Sequence, residues 1–181
     1  MPPAPTAAGT APLRRIKIIS MGDKAVGKSC LIKRYCEEKF VTKYVTTIGI
    51  DYGVKPVVIR GQNVRINFWD VAGGDEYVEI RNEFYRDVQG AILVYDVTSR
   101  ASFNALDSWI EEATAHGAKD PIVTVVANKA DKKPREVSEA EGRAWANHHG
   151  MLFAEASAKD GAGVQQLFEA LFTKVCAGAG R

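Results

Sequence analysis

Cysteine is scarce and odd in number: Cys30, Cys36 and Cys176 are the three in 181 residues, and no C-x-x-C spacing joins them. That excludes a disulfide scaffold and a thiolate zinc site, and it suits a reducing cytoplasm. Histidine is equally sparse; His116, His148 and His149 lack acidic neighbours at metal-ligand spacing and read as helix-surface or helix-end residues. No apolar run reaches the roughly eighteen residues that a membrane-spanning helix needs. Neither sign of charge is in excess: 24 Lys and Arg against 22 Asp and Glu leave +2, too little for an unaided grip on nucleic acid or an anionic membrane. The basic run Lys132-Lys133-Pro134-Arg135 reads as a solvated loop. The opening Met1-Pro2-Pro3-Ala4-Pro5 has proline where myristoylation requires glycine, and the stretch through Pro12 has neither a signal-peptide core nor distributed arginines. Residues 1–13 are expected to be a disordered leader and 177–181 the start of a tail or linker. Because the end, from Cys176 to Arg181, is no prenylation box, no lipid anchor is expected in this chain.

What is present is material for one packed domain, 46% hydrophobic and 25% charged. Ile16-Lys17-Ile18-Ile19 is a β-rich run that breaks into the small residues of Gly22 to Ser29, and Leu31, Ile32, Tyr35 and Cys36 then share a helical face fading near Glu38. Val54 to Ile59 and Val64 to Trp69 flank Arg60-Gly61-Gln62-Asn63 as an antiparallel hairpin, with Pro56 assigning the first strand to an edge. Ala91 to Tyr95 and Ile122 to Val126 are continuous apolar runs, the mark of parallel strands covered on both faces, with a helix from Ser102 to Ala115 between them. Ser138-Glu139-Ala140-Glu141 opens another helix as a capping box, Leu152-Phe153-Ala154 is a strand, and a last helix from about Val164 to Val175 buries Leu167, Phe168, Leu171 and Phe172. The alternation implies an α/β fold with an open, mostly parallel sheet, one antiparallel edge and helices on both faces. Such sheets bind ligands at the carboxyl ends of their strands.

There the first loop reads Gly22-Asp23-Lys24-Ala25-Val26-Gly27-Lys28-Ser29, a full G-x-x-x-x-G-K-S between a strand and a helix. The glycines let backbone N–H groups wrap a phosphate, Lys28 adds a full charge, and Ser29 offers a hydroxyl to Mg²⁺. A turn that merely joined strand to helix would have no use for the lysine and serine. After the strand ending at Ala127 comes Asn128-Lys129-Ala130-Asp131. The Asp131 carboxylate can accept two parallel bonds from the N1–H and N2–H₂ of guanine, donors that adenine does not present. Ser157-Ala158-Lys159, after the last strand, can close the other side of the base through backbone N–H groups.

Together with Tyr44-Val45-Thr46-Thr47-Ile48-Gly49-Ile50-Asp51 and Trp69-Asp70-Val71-Ala72-Gly73, these motifs resemble those of Ras-superfamily small GTPases, and among their branches the Rab proteins. The resemblance covers about residues 14–176 and implies the phosphate-loop G domain, with a six-stranded sheet, GTP or GDP as ligand and Mg²⁺ as cofactor. It implies that Gly22, Asp23, Lys24, Ala25, Val26, Gly27, Lys28, Ser29 and Cys30 surround the phosphates, with Tyr44 and Gly73 beside them. By the same resemblance Phe40 would stack on the guanine, held by Asn128, Lys129, Asp131, Ser157, Ala158 and Lys159. It further implies that Ser29 and Thr47 would meet Mg²⁺ directly and Asp70 through a water, and that Lys28, Thr47 and the Gly73 amide would serve hydrolysis at the γ-phosphate. The implied switch binds an effector through Thr46–Asp51 and Tyr77–Tyr85, with an exchange factor or activator as further partner, and acts as a monomer without nucleic acid.

Two positions depart from that pattern. Gly74 stands where the family has the glutamine that orients the attacking water, so slow hydrolysis is expected. Asp75 and Glu76 follow it, but carboxylates beside a polyphosphate are repelled. Lys24 replaces a small residue, and its side chain can approach the γ-phosphate or crowd an arginine finger. Gly74, the sequence Trp69 to Tyr77 and the absent terminal cysteine pair are most similar to the Rab-like proteins that carry a J domain, the RJL family, whose resemblance implies a link to flagellated or ciliated cells. Two other readings stay open: a GTP-bound pseudo-GTPase scaffolding a partner or attached J domain, and a phosphate-loop kinase, for which the short loops leave no lid.

Overall fold

The computed structural model describes residues 13–178, so the expected leader, Leu13 excepted, and the last three residues of the tail lie outside the described residues. The six strands are β1 (Arg14–Met21), β2 (Ile50–Ile59), β3 (Gln62–Val71), β4 (Gly90–Asp96), β5 (Ile122–Asn128) and β6 (Leu152–Glu155). They form one sheet in the order β2-β3-β1-β4-β5-β6, in which only β2 runs antiparallel to its neighbour. β2 has a partner on one side alone, which is why Pro56, opposite Arg65, is tolerated there. The helices are α1 (Lys28–Glu37), α2 (Val78–Asn82), α3 (Arg100–Asn104), α4 (Leu106–Ala115), α5 (Glu139–His148) and α6 (Val164–Gly178).

Because strand side chains alternate between faces, the sheet separates two cores. Ile16, Ile18, Ile92 and Val94 meet Leu31 and Tyr35 of α1 and the Leu167, Phe168, Leu171 and Phe172 stripe of α6. Ile19, Met21, Leu93 and Tyr95 face the opposite way, onto Phe103, Leu106, Trp109 and Ala146 from α3, α4 and α5. β4 is buried along its whole length, as a strand with helices on both faces must be.

Three elements differ from the sequence reading. The hairpin turn is two residues, Arg60 and Gly61, both at positive φ (49° and 77°), so Gln62 and Asn63 join β3 rather than the loop. The expected Ser102–Ala115 helix starts earlier and breaks at Ala105, because Ser99 caps α3 and the buried Ser102 hydroxyl donates to the Ser99 carbonyl at 2.8 Å. β2 starts at Ile50, four residues before the apolar run, because backbone pairing with Val71 extends the ladder.

α5 crosses the sheet on a small contact at Gly142, where an added Cβ would run into the Tyr95 hydroxyl and lie 2.9 Å from Phe153 Cε2. Tyr95 is fully buried and its ring is fixed edge-on to Phe103 at 5.0 Å, so it has no free space to yield. Gly142→Ala is expected to cost about 1–3 kcal/mol through overpacking, read as a lower urea midpoint with an unchanged slope.

Candidate functional site

The strand order dictates the layout of the carboxyl edge: the loop after β3 lies beside the loop after β1, and those after β5 and β6 follow on the far side of β4. One cavity runs along this edge and takes its lining from all four loops. Of the residues singled out in the sequence, Lys24, Ala25, Gly27, Lys28, Ser29, Cys30, Phe40, Tyr44, Thr47, Gly73, Asn128, Lys129, Asp131, Ala158 and Lys159 line it. Gly22, Asp70 and Ser157 do not line it, and Asp23 and Val26 line instead an adjoining cavity that shares Lys24, Ala25, Gly73, Gly74 and Glu76 with it.

The phosphate loop is held in shape by its own lysine. Lys28 is buried, and its ammonium donates to the carbonyls of Gly22 (2.7 Å) and Asp23 (2.9 Å), drawing the loop into a ring ahead of α1. Burial pulls its pKa down to about 8, against the opposing pull of Asp70 and Asp23. Gly27 takes φ +98° as the residue before the helix, and a side chain there would strike the Asn128 amide. Asn128 donates to the Val26 carbonyl at 2.8 Å, and Lys129 donates to the Ala25 carbonyl at 2.7 Å while pairing with Asp96 at 2.7 Å. The Asn-Lys-x-Asp turn therefore braces the phosphate loop as well as lining the cavity. Asp131 accepts from the Ser157 hydroxyl at 2.9 Å, which turns the carboxylate's rim position into a fixed one.

Ser29, Thr47 and Asp70 converge. The Ser29 and Thr47 hydroxyls lie 2.9 Å apart, Ser29 donates to Asp70, and Ser20 holds the other Asp70 oxygen at 2.7 Å. Burial pushes the Asp70 carboxyl up from its ordinary value against the bonds from Ser29 and Ser20 and the charge of Lys28. Three hard oxygen donors meeting at the mouth of a phosphate loop fit Mg²⁺, which prefers oxygen ligands shared with phosphate. Phe40 packs on the edge of the α1/α6 core and lines the cavity at once. Burial also raises the Cys30 thiol, which keeps it protonated beside Ser29.

Beyond Asp70 the chain turns tightly over the phosphate loop. A Cβ at Gly73 would sit 2.5 Å from the Lys24 nitrogen and 2.6 Å from the Gly22 oxygen, so only glycine allows this approach of backbone to backbone. Gly74 is buried, and Asp75–Tyr77 form a 3₁₀ turn ahead of α2. Five side chains whose anchoring role the sequence did not show hold this region and the last loop. Arg81 donates to the carbonyls of Gly74 (2.7 Å) and Ala72 (3.3 Å), pairs with Glu112 at 2.6 Å and lies 4.4 Å from the Trp109 ring centroid. Glu112 also accepts from Tyr85 at 2.6 Å, and Trp109 donates to the Asp23 carboxylate at 2.8 Å. Arg34 of α1 donates to the carbonyls of Ala158 (2.8 Å) and Lys159, bracing the last loop. No local signal separates such an arginine from the solvated charges around it, since Glu112 lies 31 residues from Arg81 and Ala158 lies 124 from Arg34.

A phosphate loop at the end of β1, an Asn-Lys-x-Asp turn at the end of β5 and two chain segments folded over one cavity define the class of small guanine-nucleotide-binding switches. The sequence profile of the Ras family matches residues 17–177, and the chain belongs to that family, the GTP-binding small GTPases. It is 52% identical over 167 residues to DnaJ homolog subfamily C member 27 of Gallus gallus, and 52% and 50% identical over the same length to the proteins of that name in Mus musculus and Homo sapiens. Each alignment covers 89% of this chain and 61% of the relative, so the chain spans about three fifths of the length of these curated relatives. Ras-family GTPases bind GTP and GDP, generally with Mg²⁺, and generally bind effectors and regulators.

Proposed function

We propose that the chain is a guanine-nucleotide switch whose intrinsic GTP hydrolysis is slow because Gly74 leaves the attacking water without a side-chain amide to orient it. The observation that carries this is the bare backbone of Gly74 at the cavity wall, beside a phosphate loop whose binding groups are all in place. In this reading Lys28 turns its ammonium from the Gly22 and Asp23 carbonyls to the outer phosphates. Ser29 and Thr47 would hold Mg²⁺ directly and Asp70 through a water, and the ion would neutralise phosphate charge. Asp131 accepts from the guanine edge and Phe40 covers its face. Thr47 and Gly73 draw in their segments when a γ-phosphate is present and release them when it is lost.

The partner surface in this reading is Thr46–Asp51 with Tyr77–Tyr85. Ile48 and Ile80 are exposed there (80% and 48%), and Tyr52, Trp69 and Phe84 stack in a row, with centroids 4.5 and 5.0 Å apart, that joins the two segments. Exposed apolar side chains of this kind suit a protein effector. Within the family we place the chain with the Rab-like proteins that carry a J domain, supported by relatives whose name is DnaJ homolog. The setting is the cytoplasm, in keeping with three free cysteines, and the resemblance extends it to flagellated or ciliated cells. A second reading, a constitutively GTP-bound scaffold for a partner or an attached J domain, is favoured by the same Gly74.

Single-turnover hydrolysis with GTP and Mg²⁺ tests the proposal. Gly74→Gln is expected to be faster than the wild type by about tenfold or more. Equal rates overturn the assignment of slow turnover to Gly74. The comparison is repeated on Glu76→Ala protein, because the Glu76 carboxylate now fills the space into which a glutamine side chain would grow.

A further inference from the structure

The glutamine's place is taken. Glu76 folds back over Gly74 so that its Cδ and Oε1 lie 2.6 and 2.7 Å from where a Gly74 Cβ would stand, and it lines the nucleotide cavity together with Gly73, Gly74 and Lys28. The turn that carries it is held from below: the Tyr77 amide donates to the Gly74 carbonyl at 3.1 Å, and Arg81 clamps the same carbonyl. Arg81 is committed to Glu112, and among the described residues Glu76 makes no ion pair that would neutralise it.

We propose that Glu76 is a specificity-determining residue that sets GDP against GTP. Resting on the nucleotide-switch reading above, its carboxylate lies at the cavity wall beside Gly73 and Gly74, the segment which that reading assigns to the γ-phosphate, so a third phosphate would meet it where a second would not. Like charges a few ångströms apart repel, so GTP must swing the Glu76 side chain outward and GDP need not. The movement uncovers Gly74 and shifts the 3₁₀ turn that leads into α2, so the γ-phosphate is reported to the partner surface by expulsion of a carboxylate as well as by attraction of Thr47 and Gly73. Glu76 is solvent-exposed, which keeps the effect moderate and sensitive to salt.

The test is equilibrium binding of GDP and of a non-hydrolysable GTP analogue, each with Mg²⁺, to the wild type and to Glu76→Gln at low and high ionic strength. Glu76→Gln keeps the shape of the side chain and removes its charge. The expected result is a gain of about fivefold in affinity for the analogue with GDP affinity unchanged, and a gain that shrinks as salt is raised. Parallel shifts for both nucleotides, or no shift, overturn the role of Glu76 and leave the switch reading standing. A wild type that binds neither nucleotide overturns both.

Discussion

Replacing Lys28 by alanine is expected to lower the affinity for GDP and GTP together by about two to four orders of magnitude, the worth of roughly two charge-assisted hydrogen bonds to phosphate. The side chain is buried, and its ammonium already rests in the ring of the loop on the Gly22 and Asp23 carbonyls. Phosphate oxygens would give it better acceptors without moving the backbone. The ligand-free domain should respond differently. A buried ammonium whose pKa has fallen to about 8 is carrying a burial penalty, so its removal costs the empty fold little. Thermal unfolding with and without GDP therefore separates the two effects: the variant should lose the nucleotide-induced rise in midpoint while its nucleotide-free midpoint stays near that of the wild type. Lys28→Arg is not expected to restore binding, because a planar fork does not fit where a single point charge is ringed by backbone. A Lys28→Ala protein that still bound GDP tightly would remove the phosphate loop from the site.

Arg81→Ala should have the largest effect on stability, about 2–4 kcal/mol, because it removes a buried arginine from its pair with the part-buried Glu112 and leaves that carboxylate with the Tyr85 hydroxyl alone. The expected fall in melting temperature is roughly 4–16 °C for a domain of this size. The same change frees the Gly74 and Ala72 carbonyls, so faster hydrogen exchange at residues 72–80 should accompany it. Acid tests the pair from the other side. Burial raises the Glu112 carboxyl, but the bonds from Arg81 and Tyr85 outweigh it and hold the group below its ordinary value. The folded state then binds fewer protons than the unfolded one, so this stabilisation is whole above the ordinary carboxylate range and is lost as pH falls through the lowered value. Glu112→Gln should be less stable at neutral pH and should lose less on acidification, a difference visible in urea midpoints measured across the acid range.

Much of the binding edge was legible in the chain because its chemistry is carried by contiguous residues. Gly22 to Ser29 is a loop, and its glycines, lysine and serine are read together; Asn128 to Asp131 is another, and the apolar runs on either side say that both lie at strand ends. The hairpin shows the limit of such reading. Arg60-Gly61-Gln62-Asn63 is a turn by composition, yet whether Gln62 and Asn63 belong to the loop or to β3 depends on the backbone angles of Arg60 and Gly61 and on pairing with β2, which polarity does not report. The break at Ala105 was hidden for a similar reason: a buried serine bonded back to a carbonyl looks, in one dimension, like an ordinary helical serine.

The sequence alone determined the alternation of strands and helices, the edge position of β2, the G-x-x-x-x-G-K-S loop, the Asn-Lys-x-Asp turn and a glycine at position 74, since each is a property of neighbouring residues or of a local period. Only the tertiary structure decided what stands around Gly74. That Trp109 reaches Asp23 and Arg34 braces the last loop are pairings set by how helices pack on the sheet, while the closing of Arg81 and Glu76 on Gly74 is set by the backbone path of the turn ahead of α2. Such contacts follow from the closure of the whole fold, and a charged side chain shows its partner only when the fold has brought the partner to it.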